Sequence, residues 1–72
     1  MKVKYVRVHL KKEGSNRQYA TDFIFDESMF GVDDLHIITR EGFVTVNHLG
    51  SDGTRHGKTW PASSVQEITT VL

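Results

Sequence analysis

The sequence predicts an all-β fold: a small five- or six-stranded antiparallel barrel, or strongly curved sheet, with a one-turn 3-10 helix before its last strand. Three observations carry this prediction. Val, Ile, Thr and the aromatic residues number 26 of 72, whereas Ala and Leu together number 6, a balance that suits pleated strands. Short alternating runs are separated by Gly, Asn, Asp and Ser clusters, the punctuation of antiparallel neighbours. The chain has a single Pro, Pro61, placed between two strand-like runs near its end, where a missing N–H stops one ladder and allows a turn before the next.

The first strand, Val3 to Leu10, slips in its alternation. Val6, Val8 and Leu10 share one face, while Val3 and Tyr5 lie on the other. A bulge near Tyr5 or Val6 brings both sets inward and curves the strand. Lys11 to Arg17 is polar, with Gly14, Ser15 and Asn16 at its centre, and reads as a turn. The second strand runs from Gln18 to Phe25, with Tyr19, Thr21, Phe23 and Phe25 on its core face. Residues 26–34 lack strand alternation; Asp26 suits the N-cap of one helical turn ending at Gly31. Met29 and Phe30 then plug an open barrel end or form an apolar anchor for a partner.

The stretch Leu35 to Leu49 reads as a hairpin about Glu41-Gly42. A two-residue loop pairs Arg40 with Phe43, Thr39 with Val44, Ile38 with Thr45 and Ile37 with Val46. Leu35, Ile37, Val44 and Val46 then share a core face, and His36, Ile38, Arg40, Phe43, Thr45 and Asn47 share the opposite one. In the next loop, residues 50–57, Asp52-Gly53 is a type I′ signal. A loop of two or four residues puts Trp60 beside Ile38 and Phe43; three or five residues put it with Val44 and Val46. Ala62 to Val65 suits a 3-10 turn and Gln66 to Leu72 a final strand.

This ending, Trp60 to Ile68, resembles the close of Src-homology-3-type and Sm-like small barrels. The resemblance implies that the last strand swings across to pair with the first. The peptide-groove signature of the signalling members is absent from Val3-Lys4-Tyr5-Val6-Arg7, so the resemblance does not carry proline-rich peptide binding. Short chains ending this way also look like small proteins encoded by bacteriophages.

Composition narrows the function. At 72 residues the chain is a single small β domain, 1–72, burying about 60% of its unfolded surface. It has no Cys, consistent with a reducing compartment, and no apolar run near the roughly 20 residues of a membrane span. The expectation is a cytoplasmic protein without a membrane segment. Net charge is zero, but 1–18 holds six basic residues against one acidic and 19–42 six acidic against one basic, so the two segments should lie together.

No serine sits in a nucleophile elbow, the paired carboxylates diverge, and the four His are dispersed, with only His48 and His56 able to approach across a hairpin. Neither catalysis, metal nor cofactor is expected. The glycine-bearing loop 50–58 lacks the strand-loop-helix setting of a phosphate cradle. The expected function is binding another protein through Met29, Phe30, His36, Ile38, Arg40 and Phe43, which in a phage-encoded chain would make an inhibitor or modulator of a host protein. One alternative is a nucleic-acid-binding barrel using Lys2, Lys4, Arg7, Lys11, Lys12 and Arg17. The other is a homo-oligomer joined through Ile38, Phe43 and Trp60, which would relieve the small core.

Overall fold

The computed structural model describes residues 1–12 and 21–72. The expected turn at 11–17, apart from its first two residues, and the expected strand start at Gln18 to Ala20, with Tyr19, lie outside the described residues. Among the described residues six strands are present: β1 (Tyr5–Leu10), β2 (Thr21–Asp26), β3 (Asp33–Arg40), β4 (Phe43–Leu49), β5 (Arg55–Pro61) and β6 (Val65–Val71), with a 3-10 turn at Ala62–Ser64 before the last. They form two antiparallel three-stranded sheets, ordered β2-β1-β6 and β3-β4-β5. Among the described residues neither sheet closes into a barrel, so the barrel alternative is corrected to two separate sheets while the all-β class stands.

The N-terminal segment, residues 1–10, serves both sheets. Its alternation places Val6, Val8 and Leu10 inside, and Val3 is buried as well. Strict alternation forbids Val3 and Val6 on one face, and the chain resolves the conflict with a bend at Lys4. Tyr5 is not turned inward as expected: it lies outside Val6, between Asp26 and Val71 on the outer face. Beyond the bend, residues 1–3 leave the first sheet and run along β3. Lys2 bridges to His36, the Val3 amide donates to Leu35 O at 3.0 Å, the Ile37 amide donates to Met1 O at 2.9 Å, and the N-terminal ammonium donates to Ile37 O at 2.9 Å. One continuous segment thus contributes main chain to both sheets.

The β3-β4 hairpin has the register that its alternation predicts, with Arg40 opposite Phe43 and Ile37 opposite Val46. Glu41 and Gly42 both have positive φ, 51° and 81°, the signature of a type I′ turn, whose twist matches that of the flanking strands. Leu35, Ile37, Val44 and Val46 are buried against Val3, Val6, Val8 and Leu10. Phe23, Phe25, Val32, Trp60, Val65 and Ile68 pack around this cluster, half buried.

Loop length decides the place of Trp60. Five residues, 50–54, separate Leu49 from its partner Arg55, so Trp60 pairs with Val44 and faces inward, where its ring lies 5.2 Å from that of Phe23. The type I′ signal at Asp52-Gly53 is not realised: of the two only Gly53 has positive φ. The Gly50 amide donates to Thr54 O at 2.8 Å, the Gly53 amide donates to Gly50 O at 3.1 Å, and Asp52 Oδ1 accepts the Thr54 amide at 2.9 Å.

The segment between β2 and β3 forms turns rather than the expected helical turn. Asp26 Oδ1 accepts the Ser28 amide at 2.9 Å, the Met29 amide donates to Asp26 O and the Val32 amide to Met29 O, and Gly31 takes a φ of 84°. An aspartate bonded two residues ahead makes a local turn in place of a helix start. At the end of the chain, Pro61 has extended backbone and the 3-10 turn delivers β6 to β1, the crossing implied by the resemblance at Trp60 to Ile68. The Lys11 amide donates to Ser64 O at 2.8 Å and holds the corner.

Candidate interaction surface

The outer face of the β3-β4-β5 sheet is set by the hairpin register. Three rows cross it: His36, Asn47 and Gly57; Ile38, Thr45 and Thr59; Arg40, Phe43 and Pro61. Since the inner face of β3 and β4 already supplies Leu35, Ile37, Val44 and Val46 to the core, Ile38 and Phe43 are left outside, 44% and 50% exposed. They occupy adjacent rows, on neighbouring strands, within reach of diagonal contact. Arg40 and Pro61 flank Phe43, and the Ala62 amide donates to Gly42 O at 2.7 Å, tying the hairpin tip to the end of β5.

The other end of this face is held by polar contacts. Arg55 donates to Asn47 Oδ1 at 2.7 Å, to Asp34 O at 3.1 Å and to Asp34 Oδ2 at 2.5 Å. Asp34 has a φ of 49° at the irregularity between Asp33 and His36, and the guanidinium fixes it there. His36 Nδ1 lies 3.0 Å from Asp34 O. The Thr45 and Thr59 hydroxyls are 2.9 Å apart. His36 therefore joins this polar network, while Ile38, Arg40 and Phe43 form the apolar-cationic end.

Met29 and Phe30 are exposed, by 49% and 94%, so they do not plug an end of the fold. The structure does not bring them to the hairpin tip. They lie before β3, in a turn whose Gly31 approaches Ser51, whereas Phe43 lies beyond its far end, about 23 Å along an eight-residue strand. The six residues expected to form one surface divide into two.

The basic residues disperse as well. Lys2 is ion-paired with Glu27, Arg7 lies at 3.9 Å from the carboxylates of both Asp22 and Glu67, and Lys4, Lys11 and Lys12 are exposed at opposite ends of β1. Arg17 lies outside the described residues. Part of the charge asymmetry between the two segments of the chain is met by pairs at the surface, Lys2 with Glu27 and Arg7 with Asp22.

Glu27 shows how these contacts work. Its Oε2 accepts from Lys2 Nζ and from the Leu35 amide at 2.9 Å, so one carboxylate joins residues 1–3 to the start of β3. The hydrogen bond from Lys2, then that from the Leu35 amide, hold its carboxyl below the ordinary range. A depressed carboxylate stabilises the fold above its unfolded-state pKa, and this contribution disappears as pH falls through the folded value. Urea denaturation at successive pH values should show wild-type stability falling more steeply below about pH 5 than that of Glu27→Gln. Parallel curves would remove Glu27 from that role.

A seam that the sequence reading only touched runs along the inward side of β5. Trp60 meets Phe23 at a tilt, Lys58 Nζ lies 5.6 Å from the Phe23 ring centre, and His48 stands between Phe25 and His56, at 5.9 and 6.0 Å. The expected approach of His48 and His56 is present, but His56 turns to Asp52, at 3.2 Å. No group of three His, Cys, Asp or Glu side chains suited to a metal occurs among the described residues, and no enclosed pocket occurs there. The signal for this seam was the odd loop length, which puts alternate residues of β5 inward. It also separates Trp60 from Ile38 and Phe43, correcting the oligomer contact that grouped them.

No helix among the described residues is long and apolar enough to cross a membrane. No family model, curated protein or solved structure matches the chain.

Proposed function

We propose that this protein is a non-catalytic binding module that engages another protein through the tip of the β3-β4 hairpin, with Ile38 and Phe43 as apolar anchors and Arg40 beside them. The observation that supports this reading is the exposure of those two large side chains, 44% and 50%, on a rigid sheet whose other face completes the core. Apolar side chains grouped on one face favour desolvation by a partner, and an adjacent arginine adds directional bonds. Phe30, 94% exposed, offers a separate contact at the opposite end of β3. In a phage-encoded chain the module would act as an inhibitor or modulator of a host protein.

The test is affinity capture from lysate with the wild type and with Ile38→Ala and Phe43→Ala, each checked for its fold by circular dichroism. Each substitution is expected to weaken partner binding by about 2 kcal/mol, roughly thirtyfold, as anchors do. A captured partner that binds both folded variants as tightly as the wild type would sink the proposal.

A further inference from the structure

Among the described residues the edges of β2 and β6 in one sheet and of β5 in the other stand open along their length, while residues 1–3 cover the β3 edge from Leu35 to Ile37. Open edges pair with other strands unless charge, proline or irregularity prevents it. β5 carries Arg55, Lys58 and Pro61, and antiparallel pairing of two copies about its centre sets Lys58 against Lys58. β2 carries Asp22 and Asp26. β6 differs: past the irregularity opposite His9 and Leu10, its regular stretch is Glu67, Ile68, Thr69, Thr70 and Val71, with one charge and no Lys, Pro or Gly.

Among the described residues β1 is the one strand that pairs with that stretch. The Glu27 amide donates to Lys4 O on the β2 side, and Val71 O accepts the Lys4 amide on the β1 side. Alternation then directs the polar main-chain groups of Glu67, Thr69 and Val71 toward β1 and those of Ile68 and Thr70 toward the open edge. Side chains alternate accordingly: Thr69 is exposed on the outer face, opposite Arg7, and Ile68 is half buried.

We infer that β6 pairs antiparallel with β6 of a second copy of this chain, about a two-fold axis at Thr69, making one continuous six-stranded sheet. In this register Thr69 faces Thr69, Ile68 and Thr70 exchange main-chain hydrogen bonds with Thr70 and Ile68 of the other copy, and Glu67 faces Val71. No like charges meet, inner residues face inner and outer face outer, and the contact repeats itself by symmetry, as an isologous interface requires. This surface is distinct from the hairpin tip, so the two proposals stand or fall separately.

A pair of charge variants tests it. Thr69→Glu sets glutamate against glutamate across the axis, and Thr69→Lys sets lysine against lysine. In the single chain Glu at 69 lies opposite Arg7, whose Nε is buried without a hydrogen bond among the described residues, and circular dichroism checks the fold of each variant. Sedimentation equilibrium should show a monomer–dimer equilibrium for the wild type, weakening by roughly tenfold in each variant and returning when the two variants are mixed. Independently of any variant, hydrogen exchange at the Ile68 and Thr70 amides should slow as wild-type concentration rises. A wild type with a dimer Kd weaker than about 1 mM, a dimer indifferent to either charge, failure of the mixture to restore it, or concentration-independent exchange at both amides overturns the inference.

Discussion

Replacing Leu35 with alanine is expected to cost about 3 kcal/mol of folding stability, within the range of about 2–5 kcal/mol for a large-to-small change in a packed core. Leu35 is fully buried, at the point where β3, residues 1–3 and the Glu27 carboxylate meet. Its side chain fills space between the two sheets, and the surrounding valines are too short to collapse into a cavity there. For a chain of this length total stability is on the order of 4–11 kcal/mol, so the loss takes a quarter or more of it. Urea denaturation measures the effect, with Ile38→Ala as the comparison on the same strand. Ile38 faces outward and should cost under about 1 kcal/mol. Equal costs at the two positions would overturn the assignment of faces.

Trp60→Ala is expected to cost about 2–3 kcal/mol, somewhat below the value of about 3–5 for a fully buried aromatic, because Trp60 is half buried. The ring covers the Val44 end of the core and meets Phe23 at a tilt of 47°. Trp60→Phe should recover most of the loss by keeping an aromatic edge against Phe23. Thermal unfolding followed by circular dichroism reports both without relying on the chain's single tryptophan. A change below about 0.5 kcal/mol for Trp60→Ala would place the ring on the outer face, beside Ile38 and Phe43, as an even loop length would have it.

The hairpin was readable because two local constraints agree in it. Glu41 and Gly42 form the tight turn that a two-residue loop requires, and the register it sets gathers Leu35, Ile37, Val44 and Val46 on one face. The same arithmetic identified Ile38 and Phe43 as outward. The turn after β2 was misread because Asp26 serves equally well as a helix cap or as an acceptor within a local turn; no apolar periodicity follows it to select the helix. Tyr5 was misplaced because alternation locates the slip in β1 only to within a few residues, and the bend falls at Lys4.

By itself, then, the sequence determined the all-β class, the β3-β4 register, the 3-10 turn after Pro61 and the split between Leu35's face and Ile38's face, since each follows from alternation or from a residue's own backbone limits. Tertiary structure decided what depends on contacts between distant segments. Residues 1–3 leave one sheet for the other because Val3 reaches the core only that way. Met29 and Phe30 are parted from Phe43 by the length of β3. The odd loop turns Trp60 inward, and the sheets end in open edges instead of closing, because strand neighbours and sheet closure depend on long-range packing that local alternation does not encode.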